Sequence, residues 1–143
     1  MILQIILAAV ATMGFSVLFN VPKKELIFCG LAGAGSWTAF AVISNFFPDA
    51  FIVATLVAAM TVTTFARFLS TLRKMPSTVY MIPGVIPLVP GTRIYFTMFH
   101  LINGDNAHAL TEGIEALKIA GVLAIGLLIV LSLPRRWFAF GRR

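Results

Sequence analysis

Charged residues are scarce in this chain: they make up 11% of its 143 residues, and only five of them are Asp or Glu. A soluble domain carries about 25% charged residues. Hydrophobic residues reach 59% and the mean hydropathy is +0.98, so too few polar side chains remain to cover a water-exposed surface. The composition predicts an integral membrane protein and leaves no room for a soluble catalytic domain.

The chain also lacks the residue sets of metal and catalytic sites. Its single cysteine, Cys29, excludes an internal disulfide and a multi-cysteine metal site, and its apolar surroundings predict a small packing residue. We find no nucleophile–base pair, no H-E-x-x-H, no phosphate-binding glycine loop and no carboxylate cluster. The sequence therefore predicts ligand recognition without a metal or cofactor, and no enzyme activity.

What the chain does have is five continuous apolar runs. A helix needs about 20 residues to cross a hydrocarbon core of roughly 30 Å, and runs without alternation disfavour a β-barrel. No Lys or Arg precedes the first run, so we interpret it as a retained span and not as a signal peptide. The sequence predicts an all-α integral membrane protein of one domain, residues 1–143, with a bundle of five transmembrane helices at about 2–20, 26–47, 50–70, 77–102 and 110–133.

The basic residues fall at the ends of the apolar runs, although the formal net charge of +6 could suggest a nucleic-acid partner. With five spans, nine of the eleven basic residues lie on one side of the membrane, and the loops at 48–49 and 103–108 have none. This asymmetry predicts an N-terminus outside and a C-terminus in the cytoplasm, and no nucleic-acid partner. The nine residues are Lys23, Lys24, Arg67, Arg73, Lys74, Arg135, Arg136, Arg142 and Arg143.

The fourth run is interrupted by three prolines and two glycines. In a helix interior each proline removes a backbone donor and costs about 3 kcal/mol. Non-helical backbone at membrane depth needs protein or a water-filled cavity to satisfy its polar groups, and such discontinuous helices often form transporter binding sites. The segment predicts a broken fourth helix on a transport path, with a kinked structural helix as the alternative. Its residues are Pro83, Gly84, Pro87, Pro90 and Gly91.

Arg93 follows this segment at a depth where a charge is a functional hypothesis by default. Thr92 is predicted to cap a second half-helix that starts near Gly91, and its free N–H groups together with Arg93 would favour an anion such as a carboxylate. Tyr95 lines the same path or packs as an interfacial aromatic. His100 is expected near the outer surface, where a proton-coupling role is the alternative.

The fifth run begins with three charged residues, which approach the membrane from the same outer side. Glu115 and Lys118 are three residues apart and can pair along one helix. Alternatively, Glu115 neutralises Arg93 on the fourth run, so Glu115 and Lys118 are the candidate charge partners of the path. Glu112 is predicted to be a solvated charge at the start of the helix.

Small residues recur at four-residue spacing on the second and fifth runs. They provide flat faces on which helices approach closely in lipid, and two such faces are more than a lone five-helix bundle needs. Trp37 is predicted to pack at a helix interface, and Trp137 to anchor the chain at the cytoplasmic interface. The small residues are Gly30, Ala34 and Thr38 on the second run, and Ala116, Ala120 and Ala124 on the fifth.

Two motifs resemble those of the threonine/serine exporter family. The turn Pro22-Lys23-Lys24 is followed by Gly30-Leu31-Ala32-Gly33-Ala34-Gly35. The fourth run reads Ile82-Pro83-Gly84-Val85-Ile86-Pro87-Leu88-Val89-Pro90-Gly91, with Tyr95 after it. With the five-span layout, the chain is similar over nearly its whole length to the small, second-half type of membrane subunit, such as the small subunit of the bipartite succinate exporter.

The resemblance implies a bacterial inner-membrane exporter of small carboxylates, either amino acids such as threonine and serine or a dicarboxylate such as succinate. It also implies a second five-span membrane subunit of the same family, in the opposite orientation, as in inverted-repeat transporters. A homo-oligomer stays open, because five helices alone are few for alternating access. The competing functions are a non-transporting membrane scaffold, against which Arg93 and the broken span argue, and a channel-like pore.

Overall fold

The helices account for most of the chain. The computed structural model describes residues 2–47, 50–134 and 138, and this part contains helices but no β-strand, which confirms the predicted all-α class. Trp137 and the four tail arginines lie outside the described residues. Short 3₁₀ turns occupy Lys23–Glu25 and Ile86–Leu88. The α-helices are α1 (Ile2–Leu18), α2 (Leu26–Phe46), α3 (Phe51–Arg73), α4 (Thr78–Val85), α5 (Gly91–Ile102) and α6 (Asn106–Ser132).

Three helices are long and apolar enough to cross a membrane: α2 with the turn before it, α3 and α6. The pair made by Thr78–Leu88 and α5 is bent by 54° and adds a fourth crossing if it is one span. α1 is apolar but has only 17 residues. The structure is therefore that of a multi-pass helical membrane protein with three or four candidate spans.

α2 lies at the centre of the bundle, where it contacts α1, α3 and α4. α3 packs against α6 on its other side, and α6 in turn carries α5. No residue of α5 is buried. The second half of the bent pair is therefore held chiefly by α6, while the first half is embedded between α2 and α3.

Close helix crossings depend on small residues, as the sequence predicts. A Cβ added at Gly33 of α2 would lie 2.0 Å from the Thr12 Oγ1 atom of α1. On α6, Ala116 is buried but Ala120 and Ala124 are exposed. The small-residue face of α6 is thus only partly covered within this chain.

Both ends of α6 are capped by side chains. Asp105 accepts a hydrogen bond from the His108 backbone N–H at 3.2 Å, and this bond holds the pKa of the Asp105 carboxyl below its usual range. Because Asp105 caps the helix, α6 begins at Asn106, and the expected polar loop through residue 108 is shorter than predicted. At the other end, Arg67 of α3 donates from Nη1 to the carbonyls of Val130 and Leu131, which places a cation at the negative end of the helix.

Two glycines of α6 offer a matched test of the α3–α6 crossing. A Cβ at Gly126 would lie 2.7 Å from Ala59 Cβ and 3.0 Å from the Leu56 carbonyl oxygen, whereas a Cβ at Gly121 meets nothing within 4 Å. We expect Gly126→Ala to lower the free energy of unfolding by about 1–3 kcal/mol, because the added methyl separates the two helices. Gly121→Ala should leave it unchanged or raise it by up to about 1 kcal/mol. Thermal unfolding in detergent measures both; equal melting temperatures would contradict the close crossing.

Candidate functional site

The bent pair is interrupted between the 3₁₀ turn and α5. Val89 is extended, with φ −64° and ψ 134°, and Pro90 precedes the first turn of α5 with φ −74° and ψ 55°. The Val89 N–H donates to the Ile86 carbonyl at 3.1 Å, and the Gly91 N–H donates to the Val89 carbonyl at 2.7 Å. The bend therefore lies at Val89 and Pro90.

The other two prolines are accommodated within helical turns because α2 supplies the missing donors. Pro83 lies inside α4 and cannot donate to the carbonyl of Val79, four residues earlier. That carbonyl instead accepts a weak hydrogen bond from the Cys29 thiol, with an S···O distance of 3.4 Å. Cys29 is buried, as expected of a packing residue, and it also satisfies a backbone acceptor.

Pro87 is compensated in a similar way. It is three residues after Gly84 and has no N–H for a 3₁₀-type bond to the Gly84 carbonyl. The single hydroxyl proton of Ser36 on α2 is shared between this carbonyl, with an O···O distance of 3.2 Å, and the Gly33 carbonyl of its own helix at 2.8 Å. Cys29 and Ser36 are seven positions apart and share one face of α2, so a single helix face covers the carbonyls left by both prolines.

A cavity of about 290 Å³ lies beside the bend. Of the predicted path residues, Pro87, Pro90, Gly91, Thr92 and Arg93 line it, and Arg93 is the only charged residue among the described residues of its wall. The other residues of the wall come from α2, α3, α6 and the 3₁₀ turn: Trp37, Phe40, Phe51, Thr55, Leu88, Val89 and Ile119. The described wall is thus mainly apolar, and its polar residues are Thr92 and Arg93 at the start of α5, Thr55 of α3 and Trp37 of α2.

The remaining predicted path residues lie elsewhere. Pro83 is buried inside α4, and a Cβ at Gly84 would lie 2.6 Å from Val62 Cγ2, so these two residues serve the packing of α4. Tyr95 is 63% exposed and its ring stacks on Phe99. Trp37 packs on Phe40 as expected, and its ring also lines the cavity.

The start of α5 leaves backbone donors free. Pro90, and not Thr92 as predicted, occupies the N-cap position, because the helix already begins at Gly91 and places Thr92 inside its first turn. The first N–H groups of a helix have no partner within it. In the described part of the chain, the N–H groups of Thr92 and Arg93 find no acceptor. Thr92 and Arg93, which have two free backbone donors and a guanidinium, therefore both line the cavity.

Arg93 pairs with Glu112 rather than with Glu115. Its Nη1 atom donates to Oε1 and Oε2 of Glu112 at 3.0 and 2.8 Å. Glu115 accepts from Lys118 at 2.8 Å, the alternative that the spacing predicted. A Cβ added at Gly113 of α6 would lie 3.4 Å from Thr97, which is one turn after Arg93 on α5. The two helices therefore approach each other closely here, and Glu112 lies level with Arg93. Glu112 is therefore not the solvated charge that the sequence suggested; its side chain is 23% exposed.

A second polar cluster, which the sequence analysis missed, joins three elements at the end of the bundle near Lys23 and Lys24. Glu25 is 8% exposed in its side chain and accepts from Arg73 Nε at 3.1 Å and Nη2 at 2.8 Å. The buried Tyr80 hydroxyl donates to the same carboxylate at 2.7 Å. The only signal in the sequence was an acidic residue beside the two lysines, and its partners are about 50 residues away.

Histidines gather at the opposite end of the bundle. His108 Nδ1 lies 2.7 Å from Asp105 Oδ2, and His100 Nδ1 lies 3.8 Å from the same oxygen. The two imidazole rings stack with their centroids 5.4 Å apart. His100 is thus placed at the tip of the α5–α6 pair, away from the cavity wall.

The fold and the site define an all-helical, multi-pass membrane protein with an interrupted helix beside a cavity. A family model described as Threonine/Serine exporter, ThrE matches residues 4–133. The chain belongs to the threonine/serine exporter family, as its motifs indicated, and it is a transport subunit of that exporter type in a family of transporters and not of enzymes. Comparison with curated proteins and with solved structures gives no match.

Proposed function

We propose that this chain is a subunit of a bacterial inner-membrane exporter of small carboxylates, and that the carboxylate binds in the cavity beside the bend. One observation carries the proposal: Thr92 and Arg93, which have free backbone N–H groups and a guanidinium, both line the cavity. A helix N-terminus with a cation beside it favours an anion. Among the residues that the structure describes, none of those that line the cavity is acidic.

The lengths of the two halves support a site near the middle of the membrane. α4 and its 3₁₀ turn together rise about 18 Å, and α5 rises about 18 Å. The bend thus divides one broken fourth span into equal parts. A charge such as Arg93 is costly at that depth unless it faces protein or a water-filled cavity, which favours a substrate path over a plain kink.

The proposed topology has five spans, with the N-terminus outside and the C-terminus in the cytoplasm. α1 has 17 residues and would rise about 26 Å, which is within the lower range of membrane-crossing helices. When α1 is counted as the first of five spans, the Glu25–Arg73–Tyr80 cluster and its neighbouring lysines lie on the cytoplasmic side.

Reporter fusions test the proposed five-span topology. We expect a reporter fused after residue 143 to be active only in the form that works in the cytoplasm, because the nine basic residues are retained on that side. Fusions in the 48–49 and 103–108 loops should give the opposite result. A C-terminal reporter active only in the periplasm would contradict the five-span orientation.

A second membrane subunit of five spans is part of the proposal, with a homo-oligomer as the alternative. The side chain of Arg93 is 48% exposed, and large apolar residues of α5 are also uncovered in this chain. The exposed Ala120 and Ala124 face offers a close contact for another helix. Robust export by the purified chain, shown to be monomeric, would contradict this requirement.

Two classes of substrate are candidates. One is amino acids such as threonine and serine, and the other is a dicarboxylate such as succinate. The family description favours the amino acids. A non-transporting scaffold is the alternative function, but it requires neither a cavity nor Arg93.

Arg93 offers the direct test of the proposed site. Arg93→Ala should nearly abolish export, and Arg93→Lys should weaken it, because Lys keeps the charge but loses the planar fork that holds both carboxylate oxygens. The loss of one charge-assisted contact corresponds to about 10- to 150-fold in affinity. Transport of labelled threonine in inside-out membrane vesicles measures this, with protein abundance checked in the same membranes.

The rival explanation is that Arg93 only neutralises Glu112. The double variant Arg93→Ala with Glu112→Ala separates the two, because it leaves no unpaired charge. A folded but inactive double variant supports substrate binding by Arg93. Full export activity in the double variant would eliminate that role.

A further inference from the structure

The cavity separates the start of α5 from the two helices across from it. Within the described residues, α5 packs on α6 and has only minor contact with α2 or α3. Thr92 and Arg93 line the cavity from α5. Trp37 and Phe40 line it from α2, and Phe51 lines it from α3. A molecule whose carboxylate is bound at the start of α5 therefore has the α2–α3 side of the cavity opposite that carboxylate.

Three aromatic rings cover this side, and we call Trp37, Phe40 and Phe51 the aromatic wall. The Phe40 ring is at its centre: its centroid lies 5.3 Å from that of Trp37 and 5.3 Å from that of Phe51. The Phe40 and Phe51 rings meet edge to face, with an interplanar angle of 87°, which is a favoured arrangement of aromatic pairs. Phe40 thus joins the other two rings into one continuous apolar surface.

The two polar groups beside the aromatic wall offer no donor to a bound molecule. The Thr55 hydroxyl donates to the Phe51 carbonyl at 2.9 Å, so its oxygen can only accept a further hydrogen bond. The Trp37 Nε1 atom is buried and has no partner among the described residues, so its N–H does not face the open space of the cavity. A second carboxylate placed here would lose its water without gaining a partner, which is unfavourable.

The cavity is small, so the rings at its boundary decide which groups fit. Ligand pockets usually have volumes of about 300–1,000 Å³, so a cavity of about 290 Å³ suits a small metabolite. In an apolar pocket, one methylene more or less on the substrate changes the preference by about 10- to 200-fold. The aromatic wall therefore controls how large the group opposite the carboxylate can be.

We propose that the aromatic wall, with Phe40 at its centre, determines the specificity of the exporter. It limits the size of the group opposite the substrate carboxylate, and it excludes a second carboxylate. A compact group that can donate to the Thr55 oxygen is accepted, as in a small hydroxy amino acid. This inference rests on the proposed function, since it assumes that the substrate carboxylate binds at the start of α5.

The size limit is tested by competition against labelled L-threonine, with unlabelled L-serine and L-leucine as competitors. Binding is measured on the exporter solubilised and purified from its native host, so that any further subunits are present. Wild-type protein should bind L-leucine at least about tenfold more weakly than L-serine, because even one methylene too many weakens binding by about 10- to 200-fold. Phe40→Ala opens space at the centre of the wall, so the affinity for L-leucine relative to L-serine should rise at least about tenfold.

Phe65→Ala is the matched control for Phe40→Ala. Phe65 lies next to Gly35 of α2 and is not among the described residues that line the cavity, so its removal should leave the preference for L-serine unchanged. Phe40→Leu keeps a smaller apolar side chain, and it gives the same test if Phe40→Ala lowers protein abundance.

The exclusion of a second carboxylate is tested by adding a cation to the aromatic wall. Phe51 is 46% exposed at the start of α3, where a lysine is tolerated more easily than in the core. Phe51→Lys should improve the competition by succinate by about 10- to 150-fold, the range for one charge-assisted contact. Phe47→Lys is the matched control: Phe47 is exposed at the end of α2 and is not among the described lining residues, so succinate should gain nothing.

The outcomes separate this inference from the proposed function. If the wild-type exporter does not bind labelled threonine, or binds it equally well after Arg93→Ala, the proposed function fails and the role of the aromatic wall fails with it. Binding that depends on Arg93, with the same L-leucine to L-serine ratio in wild type, Phe40→Ala and Phe40→Leu, would overturn only the role of the wall. Equal effects of Phe51→Lys and Phe47→Lys on succinate would also reject the inference.

Discussion

The structure depends on one constraint: backbone donors and acceptors inside a bilayer must find partners within the protein. Three prolines in the bent pair each remove a backbone donor, so three carbonyls lose their usual helical hydrogen bond. Two are compensated by side chains of α2, since Cys29 and Ser36 donate to the carbonyls of Val79 and Gly84. The Ile86 carbonyl, which Pro90 cannot reach as a donor, accepts from the N–H of Val89, the residue before Pro90. The three carbonyls that the prolines leave without their usual donor, at Val79, Gly84 and Ile86, therefore have other donors.

The start of α5 differs from the α4 side in its free backbone donors. The donors at the start of α5 have no protein acceptor in the described chain, and they lie where the cavity opens. The first half of the bent pair has donors for the carbonyls that its prolines leave, whereas N–H groups at the start of the second half have no acceptor in the described chain. Such N–H groups are able to donate to an anion. α5 itself packs chiefly on α6 and buries no residue.

The sequence was sufficient for the helical class, because this class follows from local composition. It also predicted an interruption over residues 83–91, followed by Arg93, but Pro83 and Pro87 lie inside helical turns and the chain is bent only at Val89 and Pro90. It was insufficient wherever two helices had to be placed relative to each other. The choice of Glu112 over Glu115 depends on the rotation of α6 against α5, which Gly113 and Thr97 fix. Spacing along one helix contains no information about that rotation.

The same limit explains the polar groups that the sequence did not reveal. Glu25 reads as a loop charge beside two lysines, and its partners Arg73 and Tyr80 reach it only after α3 and α4 have packed on α2. The thiol of Cys29 was expected to fill space, and its donation to Val79 becomes visible only when Pro83 is placed within α4. Thr92 failed as a cap because Pro90 already occupies that position.

The central claim is that the start of α5 lines a water-filled site for the substrate carboxylate. Reaction of Thr92→Cys with a charged, membrane-impermeant thiol reagent tests it most directly, in a background where Cys29→Ser keeps a donor for Val79. Leu117→Cys, on a 73% exposed apolar position of α6, is the control expected to face lipid. The account predicts that the cysteine at position 92 reacts much faster than the one at 117 and that L-threonine slows its reaction. Equal rates at both positions, or no protection by threonine, would contradict it.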